Sequence, residues 1–280
     1  MYEHGAHVTS WRDPTGSELL FVSKEVRRCA WAAFASGFCL TTWLLCPGDL
    51  QAAESHSWRC AGLLAAVQRL RPAAAARLRP QRGAHADFSG WACQLALCVL
   101  NASVDIRVQP WALVTSGDTS PHGAFVELEL VDTDETRALW PHAFVLRLRV
   151  SLSEAGALRM DLEVKNTGAQ PLSFTFALHT YFRVHDALQA RVLNLSGTSY
   201  LDSLQGRTRC TEAADAVIFD KEVDRIYLAV PPRLQLLDPV PSRTFTLETR
   251  ALPDAVVWNP WVAKAAAMAD FGASHGARCL

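Results

Sequence analysis

The sequence predicts an all-β fold, and three observations support this prediction. The chain after Trp111 contains consecutive segments in which apolar and polar residues alternate, as half-buried strands require. Short turn sequences separate these segments, and no long amphipathic helix lies between them. This pattern favours a sandwich of antiparallel strands over a βα barrel. With 280 residues, 50% of them hydrophobic, the chain is long enough to bury a sizeable core.

The first predicted element is a strand, turn and second strand within residues 1–26, with the turn at 13–16 (DPTG). A meander of antiparallel strands follows in the second half of the chain, with turns at 153–156 (SEAG) and 166–168 (NTG). Strands are predicted over 124–131, 144–152, 158–164, 172–180, 191–196, 225–230 and 243–249.

The stretch 27–110 has a different composition, with nine arginines, no lysine, six of the eight cysteines and little alternation. Residues 61–70 predict a helix that ends at Arg71 and Pro72. We therefore interpret 27–106 as an irregular or partly helical insert outside the β core. A membrane helix is the alternative for 29–48, which is uncharged and approaches the length of a bilayer span, although polar residues dilute its hydrophobicity.

The composition and charge of the chain indicate what kind of molecule it binds. The formal net charge of -1 gives no reason to expect nucleic acid or an anionic membrane as partner, so a small molecule is favoured. The N-terminus lacks a secretory pattern, which predicts a cytoplasmic protein. No cysteine pair or His/Cys cluster has the spacing of a zinc site, so free thiols and no metal are expected.

Six parts of the chain, in this order, resemble sequences of the hexose-6-phosphate mutarotases of the aldose 1-epimerase family. The resemblance covers residues 3–26 and 107–272 and leaves out 27–106. The matching parts are 5–11 (GAHVTSW) with 18–24 (ELLFVSK), 125–130 (FVELEL), 137–142 (RALWPH), 178–182 (LHTYF), 222–227 (EVDRIY), and 257–261 (VWNPW) with 268–272 (MADFG).

The resemblance implies one domain over 1–280, a galactose-mutarotase-like supersandwich of antiparallel strands with a sugar pocket on its concave face. It implies glucose-6-phosphate 1-epimerase activity on a hexose 6-phosphate, no cofactor, and a monomer. This chain departs from the family twice. Neither the Arg-Gly-Gly-Ile-Pro loop nor the Gln-His-Gly-Phe-Ala-Arg string is present in full, and 273–280 (ASHGARCL) stands where the family has a Glu-Ala-Gly strand with the catalytic carboxylate. One hypothesis is that intron or out-of-frame translation supplies 27–106 and the last eight residues.

Exchanging the anomers of a sugar requires one acid and one base, because a proton must reach the ring oxygen while another leaves the C1 hydroxyl. His179 is the candidate acid: imidazole exchanges protons near neutral pH, and the resemblance places the family's histidine in this string. Alternation predicts that His179 points away from Phe174, Phe176 and Leu178. The alternative is an ordinary strand histidine with a satisfied hydrogen bond.

Two further residues are candidates for substrate binding. The resemblance implies that Asp224 binds sugar hydroxyls, and a carboxylate accepts hydrogen bonds from a diol; the alternative is an exposed turn charge or a salt bridge with Arg225 or Lys221. Arg107 falls where the arginine of the second missing string would stand, and its guanidinium suits a 6-phosphate; the alternative is a solvated arginine.

The general base is the gap in the candidate site. Glu248 and Asp270 lie in the part of the sequence near the expected carboxylate. Neither is in a Glu-Ala-Gly context, and neither is assigned as the base. We therefore predict weak or absent turnover, because losing one partner of a concerted proton transfer typically costs ~10²–10⁴-fold. A sugar-phosphate-binding pseudoenzyme without turnover is the alternative function. The Trp258–Trp261 string is assigned to packing and a tight turn.

Overall fold

A computed structural model describes residues 1–21, 37–50, 57–68, 96–98, 104, 106–107, 109–118, 123–240 and 242–267. Antiparallel strands dominate this part of the chain, which confirms the all-β prediction. The strands are β1 (Gly37–Leu50), β2 (Ser57–Gln68), β3 (Ala96–Cys98), β4 (Ala112–Asp118), β5 (Ala124–Val131), β6 (Phe144–Leu152), β7 (Leu158–Asn166), β8 (Leu172–Arg183), β9 (Arg191–Leu193), β10 (Ser199–Asp202), β11 (Thr208–Thr211), β12 (Ala216–Val217), β13 (Val223–Tyr227), β14 (Arg233–Asp238), β15 (Arg243–Glu248) and β16 (Ala255–Asn259); the helices are α1 (Asp134–Leu139) and α2 (Trp261–Ala267).

The strands form two sheets whose orders explain where the core lies. The seven-stranded sheet runs β11-β10-β13-β16-β1-β8-β3, and the nine-stranded sheet runs β12-β9-β14-β15-β2-β7-β6-β5-β4. Phe182 on β8 and Phe245 on β15 are both fully buried, with ring centroids 5.0 Å apart. The aromatic contact joins one sheet to the other, so the core lies between the two sheets.

The meander β5 to β8 forms where alternation predicted it. On β6 the residues Phe144, Leu146, Leu148 and Val150 are fully buried, and the residues between them are exposed or half-buried. The turn to β7 closes with the Gly156 N–H donating to the Ser153 carbonyl at 2.9 Å. These strands are half-buried, so their sequences carry the period of two that made them predictable.

The interpretation of 27–106 as an insert outside the β core is wrong for the residues that the structure describes. Strand β1 lies between β16 and β8 in the seven-stranded sheet, and β2 lies between β15 and β7 in the nine-stranded sheet. The helix predicted over 61–70 is also wrong, because residues 57–68 are extended and pair with β7 and β15. The remaining parts of 27–106 lie outside the described residues.

The reason for this error lies in the registers of β1 and β2. The pairing of β1 with β8 shifts between Leu44 and Gly48, and the pairing of β2 with β7 shifts between Ala61 and Leu64. Each shift inserts an irregularity that breaks the period of two. Hydrogen bonds to neighbours on both sides then override the helical propensity of an alanine- and leucine-rich sequence.

The membrane-helix alternative for 29–48 is likewise contradicted where the structure describes it, because 37–48 belong to strand β1. No helix among the described residues is long and apolar enough to cross a bilayer. Residues 29–36 lie outside the described residues.

The predicted hairpin near the N-terminus is present, closed by single bridges instead of long strands. The Gly16 N–H donates to the Asp13 carbonyl at 2.8 Å, and Arg12 pairs with Glu18 across the turn. Trp11 packs edge-on against Phe245 of the core, with centroids 6.4 Å apart. Burial of this indole fixes the hairpin on the sandwich.

A buried ion pair fastens the end of β8 to the β14–β15 hairpin. Arg243 Nη2 donates to Asp238 Oδ2 at 2.6 Å and to the Arg183 carbonyl at 2.6 Å. The second carboxylate oxygen of Asp238 accepts from the His185 N–H at 3.1 Å. The Asp238 side chain is fully buried and that of Arg243 is 7% exposed, so each charge depends on its partner for solvation.

We expect Asp238→Asn to lower the free energy of unfolding by about 3–5 kcal/mol, because it leaves the buried guanidinium of Arg243 uncompensated. Urea unfolding followed by circular dichroism measures this change. The matched control is Glu248→Gln, which breaks the ion pair with Arg233 whose side chains are 56% and 44% exposed. That exposed pair contributes about 0–1 kcal/mol. Equal losses in the two variants would contradict the role given to the buried pair.

Candidate active site on the seven-stranded sheet

Strand β8 presents His179 on the face that is turned away from the core. Phe174, Leu178 and Phe182 are at most 2% exposed and face the core, whereas His179 alternates with them and is half-buried. Successive side chains of a strand point to opposite faces. The orientation predicted for His179 relative to Phe174 and Leu178 is therefore what the structure contains.

The sheet register brings His179 and Asp224 to the same face. Residues directly opposite each other in antiparallel strands point to the same side of a sheet, and so do residues two apart along one strand. His179 and Asp224 lie on β8 and β13, which three strand spacings separate, or about 14 Å. The two rows of paired residues are His179, Thr41, Val256 and Ile226, and Tyr181, Cys39, Trp258 and Asp224.

Asp224 has a half-buried carboxylate that no other described residue binds by a hydrogen bond or an ion pair. The alternative of an exposed turn charge is wrong, because Asp224 lies within β13. A salt bridge with Arg225 is also absent: Arg225 points to the other face and its Nη1 lies 2.8 Å from Glu212 Oε2. A half-buried carboxylate that no described residue binds is suited to binding an external hydrogen-bond donor.

A buried polar cluster holds the opposite face of β13. Glu212 Oε2 accepts from the Tyr227 hydroxyl at 2.7 Å as well as from Arg225, and the Arg225 guanidinium lies 4.8 Å from the centroid of the Tyr200 ring. Burial raises the pKa of Tyr227 far above its ordinary value, so the phenol stays protonated and donates. Glu212 therefore compensates the charge of Arg225 on the face opposite Asp224. The cluster also fixes the position of β13, the strand that carries Asp224.

Arg107 lies in a turn whose backbone is contacted by the N-terminal segment. His7 Nε2 donates to the Arg107 carbonyl at 3.1 Å, and Gly5 has φ of +67°. A Cβ atom at Gly5 would lie 1.9 Å from that carbonyl oxygen, so only glycine fits. The structure thus places Arg107 just before β4, at the edge of the nine-stranded sheet, and not on the sheet that carries His179 and Asp224.

The N-terminal segment also pairs with β8, on the side of β8 opposite β1. The Phe21 N–H donates to the Tyr181 carbonyl at 2.8 Å, and the Arg183 N–H donates to the Leu19 carbonyl at 2.9 Å. One continuous segment, residues 3–21, therefore contacts both the turn of Arg107 and the strand of His179.

Two aromatic residues of the candidate site were not found from the sequence. Trp258 was assigned to packing, but it is half-buried on the face of Asp224, and its ring meets that of Tyr181 at 6.1 Å and 80°. The position of Trp258 within β16 could have indicated that it belongs to the site. That position is informative only once the register of β16 with β13 is known. The tight turn expected after it is present, since the Trp261 N–H donates to Asn259 Oδ1 at 2.9 Å.

Of the two acidic residues left unassigned as general base, Glu248 lies outside this site. Glu248 lies on β15 of the nine-stranded sheet, where it pairs with Arg233 at 3.5 Å. Asp270 lies outside the described residues. Among the residues that the structure describes, no group of three or more His, Cys, Asp or Glu side chains is arranged to hold a metal ion.

Comparison with known proteins gives a consistent family. Residues 103–280 match the model of the aldose 1-epimerase family. A protein of Cenchrus ciliaris, provisionally named glucose-6-phosphate 1-epimerase, is 34% identical over 278 residues, which is 97% of this chain and 70% of that protein. A Salmonella typhimurium protein of the same provisional name is 27% identical over 164 residues, covering 59% of this chain and 53% of its own length.

Solved structures support the fold. A crystal structure of a provisionally named mutarotase from Salmonella typhimurium superposes with a TM-score of 0.62 at 22% identity, over 98% of this chain and 74% of the other. A galactose mutarotase related enzyme from Lactobacillus acidophilus gives 0.51 at 12% identity, over 91% and 81%. At these identities the likeness establishes a galactose-mutarotase-like fold and no more.

We expect Gly5→Ala to lower the free energy of unfolding by about 2–3 kcal/mol, because the added methyl collides with the Arg107 carbonyl and also meets the cost of a positive φ. The matched control is Gly16→Ala, which has φ of +83° but no atom within 4 Å of the new methyl, so only the conformational cost of about 1 kcal/mol applies. Urea unfolding compares the two variants, and similar losses would show that the close approach at Gly5 is unimportant.

We expect Tyr227→Phe to destabilise the protein by about 1–3 kcal/mol at pH 7, because Glu212 loses a buried donor. The pKa of Tyr227 is raised on folding, so its proton leaves the unfolded state first. The stability it contributes is complete below about pH 10 and is lost at higher pH, by about 1.4 kcal/mol per pH unit. Urea unfolding from pH 7 to 11 should therefore show the two proteins converging above pH 10. A constant difference would contradict the raised pKa.

Proposed function

Because this chain belongs to the aldose 1-epimerase family, we propose that it interconverts the α and β anomers of a hexose 6-phosphate. The observation that supports this proposal is the common face of His179 and Asp224 on the seven-stranded sheet. The 6-phosphate specificity follows the provisional name of the Cenchrus ciliaris relative. The chemistry can then be assigned residue by residue.

His179 acts as the general acid in this proposal. Ring opening breaks the bond between C1 and the ring oxygen as that oxygen takes up a proton from His179, while the C1 hydroxyl becomes the aldehyde and gives its proton to a water molecule, since no side chain is assigned as the base. Rotation about the C1–C2 bond and reclosure then give the other anomer. An imidazole supplies and recovers a proton near neutral pH with little driving force in either direction, which suits a reversible reaction.

Asp224 binds the sugar hydroxyls. Its carboxylate offers two acceptor oxygens, and no described residue occupies them. Removing this half-buried carboxylate from water costs free energy that two hydroxyl donors would offset. The buried cluster on the other face of β13 holds its backbone in place during binding.

Arg107 binds the 6-phosphate. Its planar guanidinium suits the phosphate oxygens, and charge-assisted hydrogen bonds of this kind are stronger than neutral ones. The rigid turn that holds it, with the contacts from Gly5 and His7, supports this role because a fixed backbone lowers the entropy cost of binding. The turn meets the same N-terminal segment that pairs with β8.

A second function, sugar-phosphate binding without turnover, is favoured by the location of Glu248. Glu248, one of the two carboxylates considered as the base, lies in the other sheet and pairs with Arg233. In this case His179 and Asp224 bind the sugar, and no base accompanies the acid. Anomer exchange distinguishes the two functions.

We expect wild-type protein to accelerate exchange between the anomers of glucose 6-phosphate only weakly, because no base is assigned, and His179→Ala to return the rate to that of buffer because the acid is also lost. Saturation-transfer NMR on the two anomeric protons measures the exchange rate directly against buffer.

The matched control is His185→Ala, which removes an exposed histidine from the loop after β8 and should leave the exchange rate unchanged. Exchange by the wild type at the rate of buffer, with glucose 6-phosphate bound, would support binding without turnover. Exchange that survives unchanged in His179→Ala would remove the assigned acid.

A further inference from the structure

Trp258 and Tyr181 form an aromatic pair across an intervening strand. Their ring centroids are 6.1 Å apart with the planes at 80°, although β1 lies between the strands β16 and β8 that carry them. Their positions fall in one lateral row of the seven-stranded sheet. The two rings therefore lean towards each other over β1, and we call this pair the aromatic floor.

The aromatic floor lies between the two polar groups of the candidate site. Trp258 is the direct cross-strand partner of Asp224, and Tyr181 stands two residues after His179 on the same face. The strands that carry His179 and Asp224 are three strand spacings apart, or about 14 Å. A ligand that contacts both side chains must lie over the floor.

The two rings differ in exposure, and this difference suggests different roles. Tyr181 is 8% exposed, whereas Trp258 is half-buried and keeps part of its surface open. An edge-to-face contact is a favoured arrangement of aromatic rings and fixes the orientation of both. Tyr181 fixes the orientation of the indole, and Trp258 keeps part of its indole surface available to a ligand.

We propose that Trp258 binds the apolar C–H face of the substrate's pyranose ring, with Tyr181 as its positioning residue. This inference rests on the proposed function and specifies the substrate class further. A closed pyranose presents a flat array of C–H groups to an indole, while its hydroxyls reach Asp224 at the rim. An acyclic sugar phosphate has no such face, so the floor selects cyclic hexose phosphates.

The test compares a cyclic and an acyclic ligand by isothermal titration calorimetry, using glucose 6-phosphate and glucitol 6-phosphate. Trp258→Ala should weaken glucose 6-phosphate binding about tenfold and Trp258→Phe about threefold, with glucitol 6-phosphate changed less than twofold. Trp258→Leu keeps an apolar side chain without a π face, and it should follow alanine. The control is Trp140→Phe, a buried indole packed against Phe144 near the nine-stranded sheet, which should change neither affinity.

A KM measurement by anomer exchange gives an independent readout. The stacking contact is made equally in the ground state and the transition state, so KM should rise in Trp258→Leu while kcat stays within about twofold. Thermal unfolding of each variant checks the fold. If Trp258→Ala does not fold, the comparison of leucine with phenylalanine decides, since only phenylalanine keeps a ring.

Glucose 6-phosphate affinity within twofold of wild type in folded Trp258→Leu would overturn the inference and leave the proposed function standing. Equal weakening of both ligands would also overturn it, because the floor would then not distinguish a ring. Binding that depends on Trp258 without anomer exchange would uphold the floor and overturn the proposed function. Absence of glucose 6-phosphate binding by the wild type would overturn both.

Discussion

Strand β8 must pack one face against the core and present the candidate site on its other face. The rest of the site depends on this constraint. One face carries phenylalanines into the core, where Phe182 meets Phe245 of the other sheet. The opposite face carries His179 and Tyr181. Because the two faces alternate residue by residue, a slip of one position would bury the histidine and expose the phenylalanines. Arg243, which is paired with Asp238, also binds the Arg183 carbonyl and so holds the end of the strand in this register.

The sequence made some elements predictable for a physical reason that did not apply to others. Strands β5 to β8 are buried on one face and therefore show a period of two, so their bounds were predicted within three residues. Strands β1 and β2 lie in the middle of their sheets and contain register shifts, and their apolar runs resemble a helix or a membrane span. No local pattern contains the hydrogen bonds to distant strands that fix them.

The candidate site could be predicted only in part, for a related reason. His179 was identified by its motif, and its face by alternation within a single strand. That His179 shares a sheet face with Asp224 and Trp258 depends on the register of four strands, and one of these, β1, was not recognised as a strand. Adjacent residues on β13 also take opposite roles: Arg225 is bound by Glu212 in the interior, whereas Asp224 faces the other side. Sequence proximity alone leaves an ion pair between these two as an alternative.

The position of β1 and β2 at the centre of the two sheets has a consequence for synthesis of the chain. Residues 37–50 pair with 255–259 as well as with β8, and 57–68 pair with 244–248 as well as with β7. Such long-range pairing delays closure of both sheets until residues 244–259 have been synthesised. Until then two apolar strands carry unpaired backbone edges, which are templates for aggregation. Aggregation of the nascent chain is therefore most favoured in the interval between synthesis of residues 68 and 244.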